Sequence, residues 1–187
     1  FDEGYVRGAQ INFMDLSFRY YFEDETPRLH RWRIVDFVSL FPWYNIFKPV
    51  SWKVLFGVDE MLLRDGGDHP VPRLNAGGGL TLGTGDNVRF YLFGEGDILA
   101  STRLEKDYAV GFGGTAGLIA NIMNDWKVNL WTQALFYGAG DEHRSAVAGL
   151  QNNFRITTNT SISLDALRER SFNIYKSDIT ARLNWCY

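Results

Sequence analysis

Two of the three histidines lie beside carboxylates, and these residues have the types that could do chemistry. Asp141, Glu142 and His143 form an Asp-x-His sequence, and Asp65 and Asp68 flank a pair of glycines in an earlier segment. A histidine beside a carboxylate can act as a general base that activates a water molecule. We therefore consider His143, Asp141, Asp65 and Asp68 as catalytic candidates. None is assigned as catalytic, because an aspartate beside a histidine in a solvated loop is usually an ordinary surface feature.

The arrangement of these candidates resembles that of the omptin proteases, outer-membrane barrels with an acidic pair in one outer loop and an Asp-x-His pair in another. The resemblance implies a hydrolase in which His143 and the carboxylates activate water. The spacing differs, since two glycines rather than one residue separate Asp65 from Asp68. His143-Arg144-Ser145 also resembles the His-x-Ser of lipid A deacylating barrels, where the serine attacks an ester. The nearest acidic residue that follows is Asp165, at no convincing distance.

The composition limits the class of protein. With 187 residues the chain is long enough for one domain and short for two, so we interpret residues 1–187 as a single domain. Its net charge of -3 gives no electrostatic footprint for a nucleic acid, and we expect no nucleic-acid partner. The single cysteine, Cys186, excludes an internal disulfide and a multi-cysteine metal site. No two histidines share a spacing suited to a metal, so we expect neither a metal nor a cofactor.

The hydropathy pattern favours membrane strands over membrane helices. Mean hydropathy is -0.19, and the apolar stretches are broken within a few residues, well short of the roughly 20 that a transmembrane helix needs. Aromatic residues make up 16% of the chain. A transmembrane β-barrel has such a composition, because only every second residue of a strand faces lipid.

Apolar residues alternate with polar ones along the last segment of the chain. The apolar face consists of Ile179, Ala181, Leu183, Trp185 and Tyr187, and polar or charged side chains occupy the positions between them. Such alternation with a terminal aromatic resembles the C-terminal signal that the barrel-assembly machinery reads on outer-membrane proteins. We therefore expect these residues to form a membrane-insertion signal, with the assembly machinery as a partner during insertion.

Period-two alternation recurs along the chain and predicts about ten strands, with eight or twelve as alternatives. Every second connection is predicted to be a short turn, at 83–86, 121–125 and 157–159, whereas the connection at 41–49 is longer and aromatic. An even strand number puts both chain ends on one side. The sequence thus predicts an all-β fold, an antiparallel transmembrane outer-membrane β-barrel. The predicted strands are 8–22, 29–41, 50–63, 72–83, 87–98, 107–120, 125–138, 144–156, 160–168 and 173–187.

The polar faces of these strands carry charges of both signs. In a soluble protein they would be solvated, whereas in a barrel they face the lumen and the apolar residues face lipid. A narrow barrel fills its interior with side chains, so we expect a salt-bridged lumen rather than an open pore. Asp36 falls on an otherwise apolar face, and we expect a β-bulge or a protein contact there. The predicted lumen charges are Asp15, Arg19, Lys53, Arg89, Glu95, Lys127 and Arg182, and the predicted interfacial aromatics, which would form a girdle, are Trp32, Trp52, Trp126 and Trp185.

The stretch from Arg31 to Gly57 resembles a known family. It reads Arg-Trp-Arg-Ile-Val-Asp-Phe-Val-Ser-Leu-Phe-Pro, then Phe47-Lys48-Pro49, then Ser51-Trp52-Lys53-Val54, and ends at Gly57. This pattern is similar to the C-terminal barrel region of proteobacterial envelope proteins whose N-terminal periplasmic part is a papain-like, Lnb-type domain. The resemblance covers nearly the whole chain. It implies that the chain is the C-terminal part of a longer protein whose chemistry, on lipoproteins or peptidoglycan peptides, lies upstream.

We therefore expect an outer-membrane barrel domain that anchors and scaffolds a larger envelope protein, without catalysis of its own. Outer-membrane lipids and an upstream periplasmic domain would be its partners, and the bacterial outer membrane its location. Two alternatives stay open. The first is an outer-membrane hydrolase that uses His143 and Asp141, and the second is a soluble β-barrel that binds a ligand.

Overall fold

The described part of the chain is built from antiparallel β-strands. The computed structural model describes residues 9–21, 26–43, 48–84 and 87–185. Ten strands follow one another in chain order through a single sheet, which curves into a half-barrel. Among these residues no helix is long and apolar enough to cross a membrane. The strands are β1 (Ala9–Tyr21), β2 (Thr26–Ser39), β3 (Ser51–Leu62), β4 (Asp68–Thr84), β5 (Val88–Ala100), β6 (Tyr108–Met123), β7 (Trp126–Gly140), β8 (His143–Arg155), β9 (Thr160–Ser171) and β10 (Ile174–Trp185).

The structure confirms the all-β antiparallel fold and the number of ten strands. The predicted short turns lie between β4 and β5, between β6 and β7, and between β8 and β9. The connection from β2 to β3 is longer, as predicted. The strand bounds differ by four residues at the start of β4 and by three at the start of β2 and at the ends of β6 and β9. The differences at β4 and β9 have a local cause.

Strand β4 begins at Asp68, before the predicted start at 72, although it contains Pro70 and Pro72. A proline lacks the N–H that a strand between two neighbours needs. In this segment β4 pairs with β3 from Asp68 onwards, whereas its pairing with β5 begins at Arg73. The first residues of β4 therefore have one pairing partner, which lets the strand accommodate both prolines.

Strand β9 ends at Ser171, beyond the predicted end at 168. It turns into β10 through Phe172 and Asn173, whose φ angles are 49° and 65°. Two successive positive φ angles are typical of a two-residue type I′ hairpin turn, which keeps the flanking strands paired to their ends. The turn contains no glycine, so the sequence carries no hairpin signal at this point. Arg170 consequently lies in a paired strand rather than in a loop.

The predicted irregularity near Asp36 is confirmed as a β-bulge. The register between β2 and β3 shifts between Arg33 and Val35. The extra residue changes which side chains face the concave side of the sheet. Asp36 is buried there and forms an ion pair with Arg33.

The concave side of the sheet, called the interior below, brings together strands that are not neighbours. Lys176 Nζ on β10 lies 2.6 Å from Asp68 Oδ2 at the start of β4. Lys53 Nζ on β3 lies 3.1 Å from Thr115 Oγ1 on β6. We call the end where β1 begins and β10 ends the terminal end, and the opposite end the far end.

Apolar clusters occupy both ends of the interior. At the terminal end, Leu40 from the β2–β3 connection packs with Phe93 and Ile119, and Trp43 lies against them. This connection is held in place because the Phe41 N–H donates to Ser51 Oγ at 3.0 Å. At the far end, side chains from two connections fold inwards over the strands. The far-end cluster consists of Met61, Leu63, Val71, Leu99, Leu104, Ala109, Leu135 and Tyr137, with Phe172 packed against it.

Large aromatic side chains in the interior lie against glycines of the neighbouring strand. Tyr91 faces Gly117 and Trp131 faces Gly149 in the strand register. A Cβ atom on Gly149 would lie 2.5 Å from the Trp131 ring, and one on Gly111 would lie 2.7 Å from the Tyr137 ring. These glycines therefore make room for rings that fill a narrow interior.

Candidate functional site

Buried charges line the middle of the interior and apolar side chains cover the exterior, which is the reverse of a soluble protein. Strand β5 shows the pattern clearly, because its side chains alternate between buried and exposed. Glu95 and Asp97 are only 6% and 1% exposed, whereas Leu92 between Tyr91 and Phe93 is 61% exposed. The candidate functional regions are therefore the charged interior, its two ends and the apolar exterior.

Glu95 is the centre of one interior network. Its carboxylate forms an ion pair with Lys53 and accepts a hydrogen bond from the Thr115 hydroxyl. The Gln133 side-chain amide donates to its other oxygen at 3.0 Å. These partners come from β3, β6 and β7, so one carboxylate of β5 ties together four strands.

Asp97 is the centre of a second network, one step nearer the far end. Arg73 Nε donates to Asp97 Oδ1 at 2.8 Å, and Asn75 Nδ2 donates to the same atom at 2.9 Å. The Tyr137 hydroxyl donates to Asp97 Oδ2 at 2.5 Å. Both oxygens of a fully buried carboxylate are thus hydrogen-bonded, as a buried charge requires.

A third network joins the first three strands. Arg33 on β2 donates from Nε to Asp59 Oδ1 at 2.9 Å and from Nη2 to Asp59 Oδ2 at 3.0 Å, in a bidentate pair. Arg33 also pairs with Asp36 across the bulge. Arg31 reaches Asp15 of β1, with 3.4 Å between Nη1 and Oδ2. Two arginines and three aspartates thus form ion pairs inside the sheet.

The structure places the predicted lumen charges as follows. Asp15, Lys53 and Glu95 belong to the networks described above. Arg89 lies with its guanidinium carbon 4.8 Å from the centre of the Trp43 ring, at the terminal-end cluster. Lys127 is buried on β7. Arg182 on β10 pairs with Asp165 on β9, and the side chain of Arg19 lies outside the described residues.

The exterior of the sheet is covered by large apolar side chains. On β5 to β7 the outward positions of described residues carry no charged residue type. A soluble protein scatters such side chains singly, whereas a continuous apolar surface marks contact with a lipid or a partner. Side chains that are more than half exposed include Leu80 (68%), Leu82 (70%), Phe112 (66%), Leu130 (53%), Ile179 (82%) and Leu183 (68%).

The predicted insertion strand continues this apolar surface. Ile179, Ala181 and Leu183 of β10 all point outwards and are exposed. Trp185 ends β10, but its side chain lies outside the described residues, as does Tyr187. The described members of this face therefore share one side of the sheet, as the alternation predicts.

The predicted interfacial aromatics occupy different heights on the sheet. Trp52 is the second residue of β3, at the terminal end, and stacks on Phe37, with 4.6 Å between ring centres. Trp126 begins β7 at the same end and stacks on Phe154 at 5.2 Å. Trp32, in contrast, lies mid-strand in β2, where it is exposed away from either strand end.

The structure does not assemble Asp141 and His143 into a catalytic pair. His143 Nδ1 donates to the backbone carbonyl of Asp141 at 2.8 Å, and not to its carboxylate. That carboxylate lies 2.6 Å from Arg64 Nη2 and accepts from the Glu105 N–H at 3.2 Å. The His143 ring stacks between Tyr137 and Phe172, at 4.1 and 4.0 Å between ring centres. These contacts are those of a packed cluster at the far end, and not those of a catalytic dyad.

Asp65 and Asp68 have separate partners and do not form an acidic pair. Asp65 Oδ1 accepts from the Gly67 N–H at 3.0 Å, and Oδ2 lies 2.7 Å from His69 Nε2. The Gly67 N–H and His69 together hold the pKa of Asp65 below its usual value. Asp68 instead pairs with Lys176 across the interior.

Sequence reasoning missed several residues that organise the interior. Tyr137, Asn75 and Thr115 bind the buried carboxylates, yet none was among the candidates. Alternation along β7 puts Tyr137 on the same face as Lys127 and Gln133, and this was the available signal. The pairing itself depends on distances across the interior, which alternation does not give.

Comparison with known proteins adds a family without a functional description. The model of a family described as "Domain of unknown function (DUF7840)" matches residues 1–186. No curated protein and no solved structure matches the chain.

In the part of the chain that the structure describes, no group of three or more His, Cys, Asp or Glu side chains is placed to hold a metal ion.

Proposed function

The chain belongs to the DUF7840 family, and we propose that its ten-stranded sheet closes into an outer-membrane β-barrel that anchors a larger cell-envelope protein. The single observation that carries this proposal is the reversed polarity of the sheet. Leu82 and Ile179 are 70% and 82% exposed on the convex side, while Asp97 is 1% exposed on the concave side. Lipid is the environment in which such an exterior is stable.

Closure of the sheet would pair β1 with β10, the first and last strands of the order. A closed sheet has no unpaired edge, which a membrane requires because lipid offers no hydrogen-bond partners. The contact between Lys176 on β10 and Asp68 on β4 supports this closure, since it shows how far the sheet curves. Both chain ends would then lie on the periplasmic side.

A scaffold role fits the filled interior better than transport. The networks around Glu95 and Asp97 cross the interior, and apolar clusters lie above and below them. A transport pathway would have to displace paired charges and buried rings. The resemblance of Arg31 to Gly57 to barrels that follow a papain-like periplasmic domain supports the anchoring of such a domain.

The other two functions have less support. A hydrolase would need the Asp141 carboxylate to orient His143, and that carboxylate is bound to Arg64 instead. A soluble ligand binder would need a polar exterior, whereas the outward side chains of β5 are apolar or glycine.

A charged residue placed on the exterior tests the proposal. If Leu130 faces lipid, Leu130→Arg should lower the free energy of unfolding from vesicles by about 2 to 4 kcal/mol. If it faces water, the change should stay within about 0.5 kcal/mol. Urea unfolding of the protein refolded into phosphatidylcholine vesicles measures this difference. Thr102→Arg, in the exposed β5–β6 connection, is the matched control and should have little effect.

A further inference from the structure

The exterior of β5 to β10 carries a cluster of arginines, which among the described residues lie at one height. On the outward faces of β5 to β10, the described residues of charged type are Arg144, Arg168 and Arg170. The carboxylates nearest to them in sequence on β9, Asp165 and Glu169, alternate with the arginines and face the interior. All three arginines lie towards the far end, which the proposed function places at the outer surface of the membrane.

The arginines are held against aromatic rings on neighbouring strands. We call Arg144, Arg168 and Arg170, with Phe136 and Tyr175, the arginine patch. The guanidinium carbons of Arg168 and Arg170 on β9 lie 5.8 and 5.3 Å from the centre of the Tyr175 ring on β10. Arg144 on β8 lies 5.7 Å from the centre of the Phe136 ring on β7. The patch therefore spans four adjacent strands.

This stacking orients the guanidinium groups without neutralising them. An arginine over an aromatic face gains a cation–π interaction and keeps its N–H donors available at the edge. Arg170 donates to Asn173 Oδ1 at 2.9 Å, a neutral partner. Among the described residues, no carboxylate forms an ion pair with any of the three arginines. The guanidinium groups of the patch are therefore not engaged in ion pairs with carboxylates among these residues.

Apolar side chains lie directly next to the patch, towards the middle of the sheet. Along β9 the outward positions run from Leu164 through Ala166 to Arg168. Leu150 on β8 and Ile179 on β10 flank this line and are exposed. Positive charge thus begins where the apolar exterior ends, at the height of lipid headgroups in the proposed orientation.

We propose that the arginine patch binds the phosphate groups of an acylated, phosphorylated lipid in the outer leaflet. The proposal rests on the proposed function, because it needs the exterior to face lipid. Arginine edges bind phosphate oxygens in bidentate pairs, and the acyl chains would lie along Leu150, Leu164 and Ile179. A lipid is favoured over free phosphate because the positive charge and the apolar surface are continuous.

Lipid titration of a patch variant tests the proposal. Wild type and Arg168→Gln/Arg170→Gln would be refolded, purified in dodecyl maltoside and titrated with diphosphoryl lipid A, with binding read by native mass spectrometry. We expect about 30-fold weaker binding in the variant, since each arginine at a membrane surface contributes roughly fivefold. Arg103→Gln/Lys106→Gln removes the same charge from the exposed β5–β6 connection, and it should change binding by less than about threefold.

Three outcomes would overturn the proposal. The first is equal affinity in wild type and the patch variant, and the second is an equal loss in the Arg103/Lys106 control. The third is complete displacement of lipid A by inorganic phosphate, together with binding of deacylated, phosphorylated lipid A as tight as that of intact lipid A. That result would assign the patch to free phosphate. Refolding into vesicles is checked first by the heat-dependent shift in gel mobility typical of barrels. Failure there removes the proposed function, whereas normal refolding with any of the three outcomes removes only the lipid site.

Discussion

At the scale of single residues, the buried carboxylates determine how the interior is organised. Glu95 and Asp97 lie on the same face of β5, and each binds partners from several strands. A buried charge costs free energy unless it is paired and fully hydrogen-bonded. Removing one member of such a network should therefore cost more than removing an exposed charge.

Lys53→Met tests this expectation. The change leaves the Glu95 carboxylate without its ammonium partner, and we expect the free energy of unfolding to fall by about 3 kcal/mol or more. The double variant Lys53→Met/Glu95→Gln should recover part of that loss, because a neutral amide keeps hydrogen bonds with Thr115 and Gln133. Urea unfolding measures both values, and Lys106→Met in the exposed β5–β6 connection is the control. A cost of less than about 1 kcal/mol for Lys53→Met would contradict the importance of the network.

The residue scale also shows what a sequence can predict about a site. Alternation placed Lys53, Glu95 and Lys127 in the interior, because side-chain direction in a strand follows directly from position. It did not predict that Tyr137 binds Asp97, because that contact depends on how far the sheet curves between β5 and β7. Spacing alone suggested a dyad at Asp141 and His143, but it could not show that Arg64 takes the carboxylate.

At the scale of strands, the alternation of polar and apolar residues and the residue types found at turns account for the strands that the sequence predicts. Strands β5 and β9 alternate between more buried and more exposed side chains over most of their length. The end of β9 was missed because Phe172 and Asn173 turn with positive φ without a glycine to signal it. Arg144 and Arg168 lie inside predicted strands, whereas Arg170 lies beyond the predicted end of β9, so the sequence does not predict the arginine patch as a unit.

Close contact between a ring and a glycine makes a prediction at this scale. Gly111→Ala would put a Cβ atom 2.7 Å from the Tyr137 ring, which is buried and bound to Asp97. We expect the free energy of unfolding to fall by about 1 to 3 kcal/mol, as for other overpacked sites. Gly94→Ala is the matched control, because a Cβ atom there meets nothing within 4 Å. Equal effects of the two changes would show that glycine backbone entropy, and not packing against the ring, explains why position 111 is a glycine.

At the scale of the whole molecule, the sheet presents charge inwards and apolar groups outwards. The family model matches residues 1–186, and its description assigns no function. The outward apolar surface, the filled interior and the charged far-end exterior all agree with one orientation in a membrane. That agreement depends on a single physical claim, that the convex side contacts lipid.

Photolabelling from the lipid phase tests that claim most directly. The protein would be refolded into vesicles containing a hydrophobic diazirine reagent, irradiated, and its modified residues mapped by mass spectrometry along β5 and β10. We predict an alternating pattern, in which Leu92, Ile98, Ile179 and Leu183 are labelled and Phe93, Asp97, Asp178 and Arg182 are not. Equal labelling of both faces, or no labelling of the exposed leucines and isoleucines in vesicle-bound protein, would contradict the account.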